Sequence, residues 1–229
     1  MAMLSDNDAS EVRKIFGALV RDVHVKVYTR ILECPTCRDT ETILKELDQL
    51  SERLIVTFLN PETDREEAER DGVDLAPVII VSDGSNSRVR FLGTPSGYEF
   101  SSLLTVIVDT GGEEEPLSAE SVAFLDDLEE DLKVQVFVTP TCPHCPSAAV
   151  LACRMARYSG KVAAEVIEAN EFGELSRRFR VQGVPRTVIN GKFFVEGALP
   201  EPMVVSALKE GLKEAPSGEK NLMEYIQTD

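Results

Sequence analysis

Cys34-Pro35-Thr36-Cys37, directly behind the alternating apolar segment Val23 to Thr29, returns as Cys142-Pro143-His144-Cys145 behind Lys133 to Thr139. The first cysteines of the two pairs are 108 residues apart. The same offset separates Val73-Asp74-Leu75-Ala76-Pro77-Val78-Ile79-Ile80 from Val181-Gln182-Gly183-Val184-Pro185-Arg186-Thr187-Val188-Ile189. One offset shared by two unrelated patterns marks an internal repeat.

Both copies follow the same order. Behind each cysteine pair comes a helix-compatible stretch, Asp39 to Leu50 or Ser147 to Tyr158, and then an apolar strand, Leu54 to Leu59 or Ala163 to Ile167. A charged helical segment leads to the strand that carries Pro77 or Pro185. Its hairpin partner is Arg88 to Leu92, after Asp83-Gly84-Ser85-Asn86, or Phe193 to Val195, after Asn190-Gly191. Tyr98 to Val108 and Glu201 to Leu212 close the copies as helices. Each copy also has a leading helix, Ser10 to Leu19 and Ser118 to Leu128. Strands joined by helices and ending in a hairpin predict the α/β class, with a mixed central sheet flanked by helices in each half.

The 229 residues divide into residues 1–112 and 113–229. The join falls in Asp109 to Pro116, which reads as offering no core residues, and the tail beyond Leu212 reads as loosely held. From Glu113 to Glu130 there are eight acids and no base, the pattern of a solvated face. Forty acids against 24 bases give a net charge of -16, which disfavours a nucleic-acid backbone as partner. No run of about 18 apolar residues is available for a membrane span. Met1 to Lys14 carries acids where a signal peptide needs bases and an apolar run, so the chain reads as cytoplasmic. Five cysteines, four of them in the two pairs, are too few for a disulfide framework.

Two cysteines three apart at a helix start share a face and can close a disulfide. The outer one, Cys34 or Cys142, meets the free N–H groups of the helix start, which favour its thiolate and make it the nucleophile. Cys37 or Cys145, one turn deeper, attacks the resulting mixed disulfide and releases the partner. Pro35 and Pro143 mark the helix start, where a missing N–H costs nothing. His144 donates charge or a hydrogen bond toward Cys142, so Cys142 is expected to be more acidic than Cys34 and its pair the more oxidising. The Ala76-Pro77 and Val184-Pro185 bonds, each proline 43 residues beyond its outer cysteine, are expected to be cis and to offer backbone to a substrate chain.

On these motifs each half resembles the thioredoxin and glutaredoxin superfamily. The whole chain resembles the two-domain, glutaredoxin-like protein disulfide oxidoreductases, from about residue 10 to 212. The resemblance implies two tandem thioredoxin-like domains and a cytosolic oxidoreductase that reduces, forms or isomerises protein disulfides, with the direction open. It carries the active-site role to Cys34, Cys37, Cys142 and Cys145 and the cis-proline role to Pro77 and Pro185. It also implies disulfide-containing proteins as partners and an upstream flavoprotein of the thioredoxin reductase kind, with no cofactor bound to the chain itself. The alternative is an electron-delivery or protein-binding module for a peroxidase or another partner.

Two departures stand out. Thioredoxins keep a buried acid six residues before the first cysteine, where this chain has Tyr28 and Val136. Glu168, at a strand end, is the substitute candidate for proton transfer; Asn60 is its counterpart. Glutaredoxins hold glutathione with a glycine pair and an acid after the proline strand; this chain has Glu196-Gly197-Ala198-Leu199 and Leu92-Gly93-Thr94-Pro95 instead, which speaks against a dedicated glutathione site. A four-thiolate zinc site is disfavoured because each pair leads into a helix of its own half. No metal is expected. Cys153 lies on an apolar helical face and reads as core, and His24 as structural.

Overall fold

The computed structural model describes residues 3–84, 88–113 and 115–213. The first repeat runs α1 (Asp6–Phe16), β1 (Val23–Tyr28), α2 (Cys37–Asp48), β2 (Leu54–Leu59), α3 (Arg65–Asp71), β3 (Val78–Ser82), β4 (Val89–Leu92) and α4 (Tyr98–Gly111). The second runs α5 (Ala119–Asp126), β5 (Leu132–Val138), α6 (Cys145–Tyr158), β6 (Val162–Glu168), α7 (Gly173–Arg178), β7 (Arg186–Ile189), β8 (Phe193–Glu196) and α8 (Glu201–Lys213). The leading helix starts earlier than its apolar periodicity indicates because Ser5 caps it. The Ser5 hydroxyl accepts from the Asp8 N–H at 3.2 Å, and Asp8 accepts from the Ser5 N–H at 3.3 Å.

Within each repeat the first strand pairs parallel with the second and antiparallel with the third, and the hairpin adds the fourth. That is the expected α/β unit with its mixed sheet. What the repeat does not foretell is the joint between units. β4 pairs parallel with β6, from Val89↔Ala164 to Leu92↔Ile167, and the described strands form one eight-stranded sheet in the order β2-β1-β3-β4-β6-β5-β7-β8. From β1 through β3 and β4 to β6 and β5, two antiparallel steps cancel, so β1 and β5 point the same way. Four strand spacings separate them, about 19 Å at about 4.8 Å each. Both cysteine pairs therefore open along one edge of one sheet.

The core is split by the sheet. Val12, Phe16, Leu44, Leu47, Leu103, Ile107, Leu125, Met155 and Val205 pack α1, α2, α4, α5, α6 and α8 over one face. Ala68 and Leu175 bring α3 and α7 to the other, against Tyr28, Ile80, Phe137 and Val188.

The strand registers correct one equivalence. Val27 pairs with Phe58 and Ile79, whereas Val136 pairs with Val166 and Thr187. The partners keep the 108-residue offset, but Val27 and Val136 are 109 apart. The first unit thus holds one additional residue between its first strand and Cys34. The loop takes it up with Glu33 at φ 57° and with Ile31 and Leu32 left 90% and 76% exposed. Tyr28 matches Phe137, not Val136. Its hydroxyl donates to Asp71 at 2.6 Å, and Asp71 also receives Lys26 at 2.7 Å, which ties α3 to the sheet. Burial, helped by Asp71, pushes the Tyr28 phenol well above its ordinary range.

The join also differs from expectation. Asp109, Thr110 and Gly111 belong to the last turn of α4 and are buried. Arg154 Nε donates to Asp109 at 2.7 Å, and the Gly111 carbonyl accepts from the Val20 and Arg21 amides at 2.7 and 2.8 Å. Glycine and an acid read as linker in sequence, but here they allow close packing and a buried ion pair. The α5 start is held by Glu201, which accepts from the Ser118 N–H at 2.7 Å. Residues 85–87 of the predicted turn, Glu114 and the tail from residue 214 lie outside the described residues. No helix among the described residues is long and apolar enough to cross a membrane.

Candidate active sites

Cys34 and Cys37 form one disulfide and Cys142 and Cys145 a second, with Cα atoms 5.4 and 5.5 Å apart. Each inner cysteine is the first residue of its helix and is buried. Each outer cysteine lies in the turn before, where its carbonyl accepts the inner N–H at 3.4 Å. The outer positions are unequal: Cys34 is partly exposed, whereas Cys142 is 8% exposed. Pro35 and Pro143 stand in this turn, two residues ahead of the helix and not at its first position. Thr36 and His144 occupy the cap positions, and the proline in the first turn of α6 is Pro146.

The Ala76-Pro77 and Val184-Pro185 bonds are both cis. At the second pair the geometry is close: Cys142 Sγ lies 3.8 Å from the Val184 carbonyl oxygen. At the first pair the Arg30 N–H donates to Cys37 Sγ at 3.2 Å, and the Arg30 guanidinium reaches the Asp74 carbonyl at 2.7 Å, which anchors the loop before Pro77. His144 is exposed; its side chain makes no capping bond, and its carbonyl accepts from the Ser147 hydroxyl at 2.9 Å.

Glu168 is buried at the end of β6, but its carboxylate is engaged. It accepts from Asn170 Nδ2 at 2.7 Å and from the Glu171 N–H at 2.6 Å, so it shapes the loop that follows. The free buried acid is one that sequence reasoning passed over. Glu99, in the first turn of α4, is 3% exposed, and neither carboxylate oxygen has a hydrogen-bond partner. Burial, and then the charge of Glu168, raise its pKa to about 7. The signal was present in its spacing, because Glu99 shares a helical face with the buried Leu103 and Val106. The Tyr98 N–H donates to the Pro140 carbonyl at 2.9 Å, two residues before Cys142. The start of α4 therefore abuts the loop of the second pair, and α4 packs along α6, which begins at Cys145. Cys153, further along α6, is fully buried, and burial pushes its thiol far up, out of reach of redox chemistry.

Each site can therefore close and open a disulfide at a helix start beside an extended proline loop. Among the described residues no three His, Cys, Asp or Glu side chains converge as a metal-holding group.

A model of the thioredoxin domain matches residues 132–209. Over 220 residues the chain is 24% identical to the F component of the alkyl hydroperoxide reductase of Escherichia coli, covering 96% of this chain and 40% of that protein. It spans about two fifths of that relative's length. The solved NTD_N/C domain of the Enterococcus faecalis alkyl hydroperoxide reductase superposes with a TM-score of 0.82 at 23% identity, covering 90% of this chain and 99% of that one. A protein disulfide oxidoreductase from Aeropyrum pernix gives a TM-score of 0.82 at 25% identity, covering 90% and 92%. The fold is two tandem thioredoxin-like units.

Proposed function

We propose that the chain is a thiol–disulfide exchange module that delivers electrons to a peroxide-reducing partner, with Cys142 and Cys145 as the delivering pair. The observation that carries this reading is Cys142 Sγ beside the Val184 carbonyl, where a partner strand can pair with the Val184 backbone while its disulfide meets the sulfur. Similarity to the F components of alkyl hydroperoxide reductases supports the class of partner. In the reduced pair the Cys142 thiolate attacks the partner disulfide, forms a mixed disulfide and expels one partner thiolate. Cys145 then attacks Cys142 Sγ, which releases the second partner thiolate and leaves the Cys142–Cys145 disulfide. Glu99, buried in the first turn of α4 where that helix packs along α6, is the base we assign to the Cys145 proton during this second attack. His144 and Pro143 tune the outer sulfur. Pro35, with Ala76 and Pro77, serves the first pair, which is reloaded by a flavoprotein reductase. Glu168 acts on Glu99 by its charge.

A second reading is general protein disulfide oxidation or reduction in the cytoplasm by both units, 1–112 and 113–229. It is favoured by the retention of two complete pairs and by the likeness to the Aeropyrum pernix protein. The experiment is a competition. The chain is reduced with dithiothreitol and desalted, then mixed with an oxidised alkyl-hydroperoxide-reducing thiol peroxidase or with insulin, and thiol loss is followed. Delivery predicts rapid oxidation by the peroxidase, abolished by Cys142→Ser. Faster turnover of insulin favours the second reading. Oxidation by neither refutes both.

A further inference from the structure

The units also meet at the first cysteine pair. Glu171 follows β6 in the second unit, yet its carboxylate lies on the first. Oε2 accepts from Thr36 Oγ1 at 2.5 Å, and Oε1 accepts from the Thr94 N–H at 2.8 Å. Thr36 stands between Pro35 and Cys37 at the cap position of α2, where its hydroxyl makes no capping bond and is given to Glu171 instead. Its carbonyl is approached by the Thr40 and Thr94 hydroxyls at 3.1 and 3.3 Å, and these lie 2.8 Å from each other. Two features hold Glu171 at this reach. Glu168 fixes the Glu171 N–H, and Gly93, at φ 110°, leaves open the place where a Cβ would come within 2.6 Å of Glu168 Cβ and 3.4 Å of Glu171 Cδ.

The arrangement is not reciprocal. By the repeat offset, Glu171 corresponds to Thr63 and Thr36 to His144, so the second motif carries an imidazole where the first receives a carboxylate. Glu33, Arg38 and Asp39 also flank the first pair in the chain, Asp39 in the first turn of α2, and two further charges nearby are engaged elsewhere. Arg30 bonds the Asp74 carbonyl and lies 3.8 Å from Glu62, and Glu41 binds Thr29 and Lys45.

We propose that Glu171 is a positioning residue for the Cys34–Cys37 pair, and that its charge holds this pair more reducing than Cys142–Cys145. The inference rests on the thiol–disulfide reading above. Reduction places negative charge on the outer sulfur at the start of α2. A carboxylate bonded to the same cap opposes that charge and so favours the disulfide. Electrons are then offered by the first pair and accepted by the second.

The test uses glutathione, two molecules of which reduce one disulfide to a dithiol and leave as one glutathione disulfide. In full-length chain carrying Cys142→Ser and Cys145→Ser, Glu171→Gln is expected to shift the equilibrium toward dithiol threefold to tenfold; tenfold is about 30 mV for a two-electron couple. Glu171→Ala is expected to shift it equally and also to lower the melting temperature, because it loses the bonds to Thr36 and Thr94. In chain carrying Cys34→Ser and Cys37→Ser, Glu171→Gln is expected to change the equilibrium less than twofold. A shift under twofold at the first pair, an equal shift at both pairs, or a shift with Glu171→Ala but not with Glu171→Gln would overturn the proposal. If neither pair of the wild-type chain equilibrates with glutathione, the thiol–disulfide reading itself fails.

Discussion

The Tyr98 amide donates to the Pro140 carbonyl oxygen at 2.9 Å, so the first turn of α4 in one unit closes on the loop that leads to Cys142 in the other. Gly97 makes this approach possible. It caps α4 at φ 56°, and a Cβ there would meet Pro140 backbone and side chain. Gly97→Ala is expected to cost about 2–4 kcal/mol, from left-handed strain and overpacking together. Urea unfolding measures this, and faster alkylation of reduced Cys142 reports the displaced loop. Gly160→Ala, in open space, is the control and should stay within about 0.5 kcal/mol.

Glu99 gives the fold a pH dependence. Its pKa rises from 4.5 unfolded to about 7 folded, so the folded chain keeps a proton that the unfolded chain releases between those values. The resulting stabilisation is complete below pH 4.5 and is lost as pH climbs through 7. Glu99→Gln removes the dependence and should gain on wild type by about 3 kcal/mol between pH 5 and 8. Parallel denaturant curves across that range decide it. If Glu99 carries the Cys145 proton, the same variant also slows release of the mixed disulfide and erases the step near pH 7 in its rate.

Removing an inner cysteine should trap the intermediate. With Cys145→Ser the mixed disulfide at Cys142 cannot resolve, so a covalent adduct with a disulfide-bearing partner accumulates and is visible on a non-reducing gel. Cys142→Ser should give little adduct, because Cys145 is fully buried. Adduct of equal yield from both variants would reverse the assignment of outer and inner roles.

Asp109 is buried and bound by Arg154, which also reaches Glu115 at 2.6 Å. Asp109→Ala leaves the guanidinium without its inner partner and should destabilise by about 3 kcal/mol. Calorimetry of Asp109→Ala beside Glu115→Ala separates the buried bond from the exposed one, and the latter should cost under about 1 kcal/mol.

Local features were legible in the sequence and shared ones were not. The cysteine spacing, the alternating strands and the prolines of the strand loops depend on near neighbours, and they gave the two units and both disulfide pairs. The β4–β6 joint depends on which edges meet, which no periodicity encodes. The additional residue ahead of Cys34 hid behind a constant cysteine offset and became visible only in the pairing of Val27 with Phe58. Glu99 went unremarked because the packing of α4 along α6 joins residues distant in sequence. Asp109 to Gly111 read as linker for the same reason: its partners, Arg154 and the Val20 and Arg21 amides, are distant in sequence.

Because one sheet sets the strands that lead into the two cysteine pairs about 19 Å apart, the pairs stand as separate centres. A fully reduced molecule stores four electrons as two separate couples. Transfer from one store to the other is then work for a mobile carrier, or for a second molecule presenting its opposite end. Two clients can also be served at once without competing for a single port.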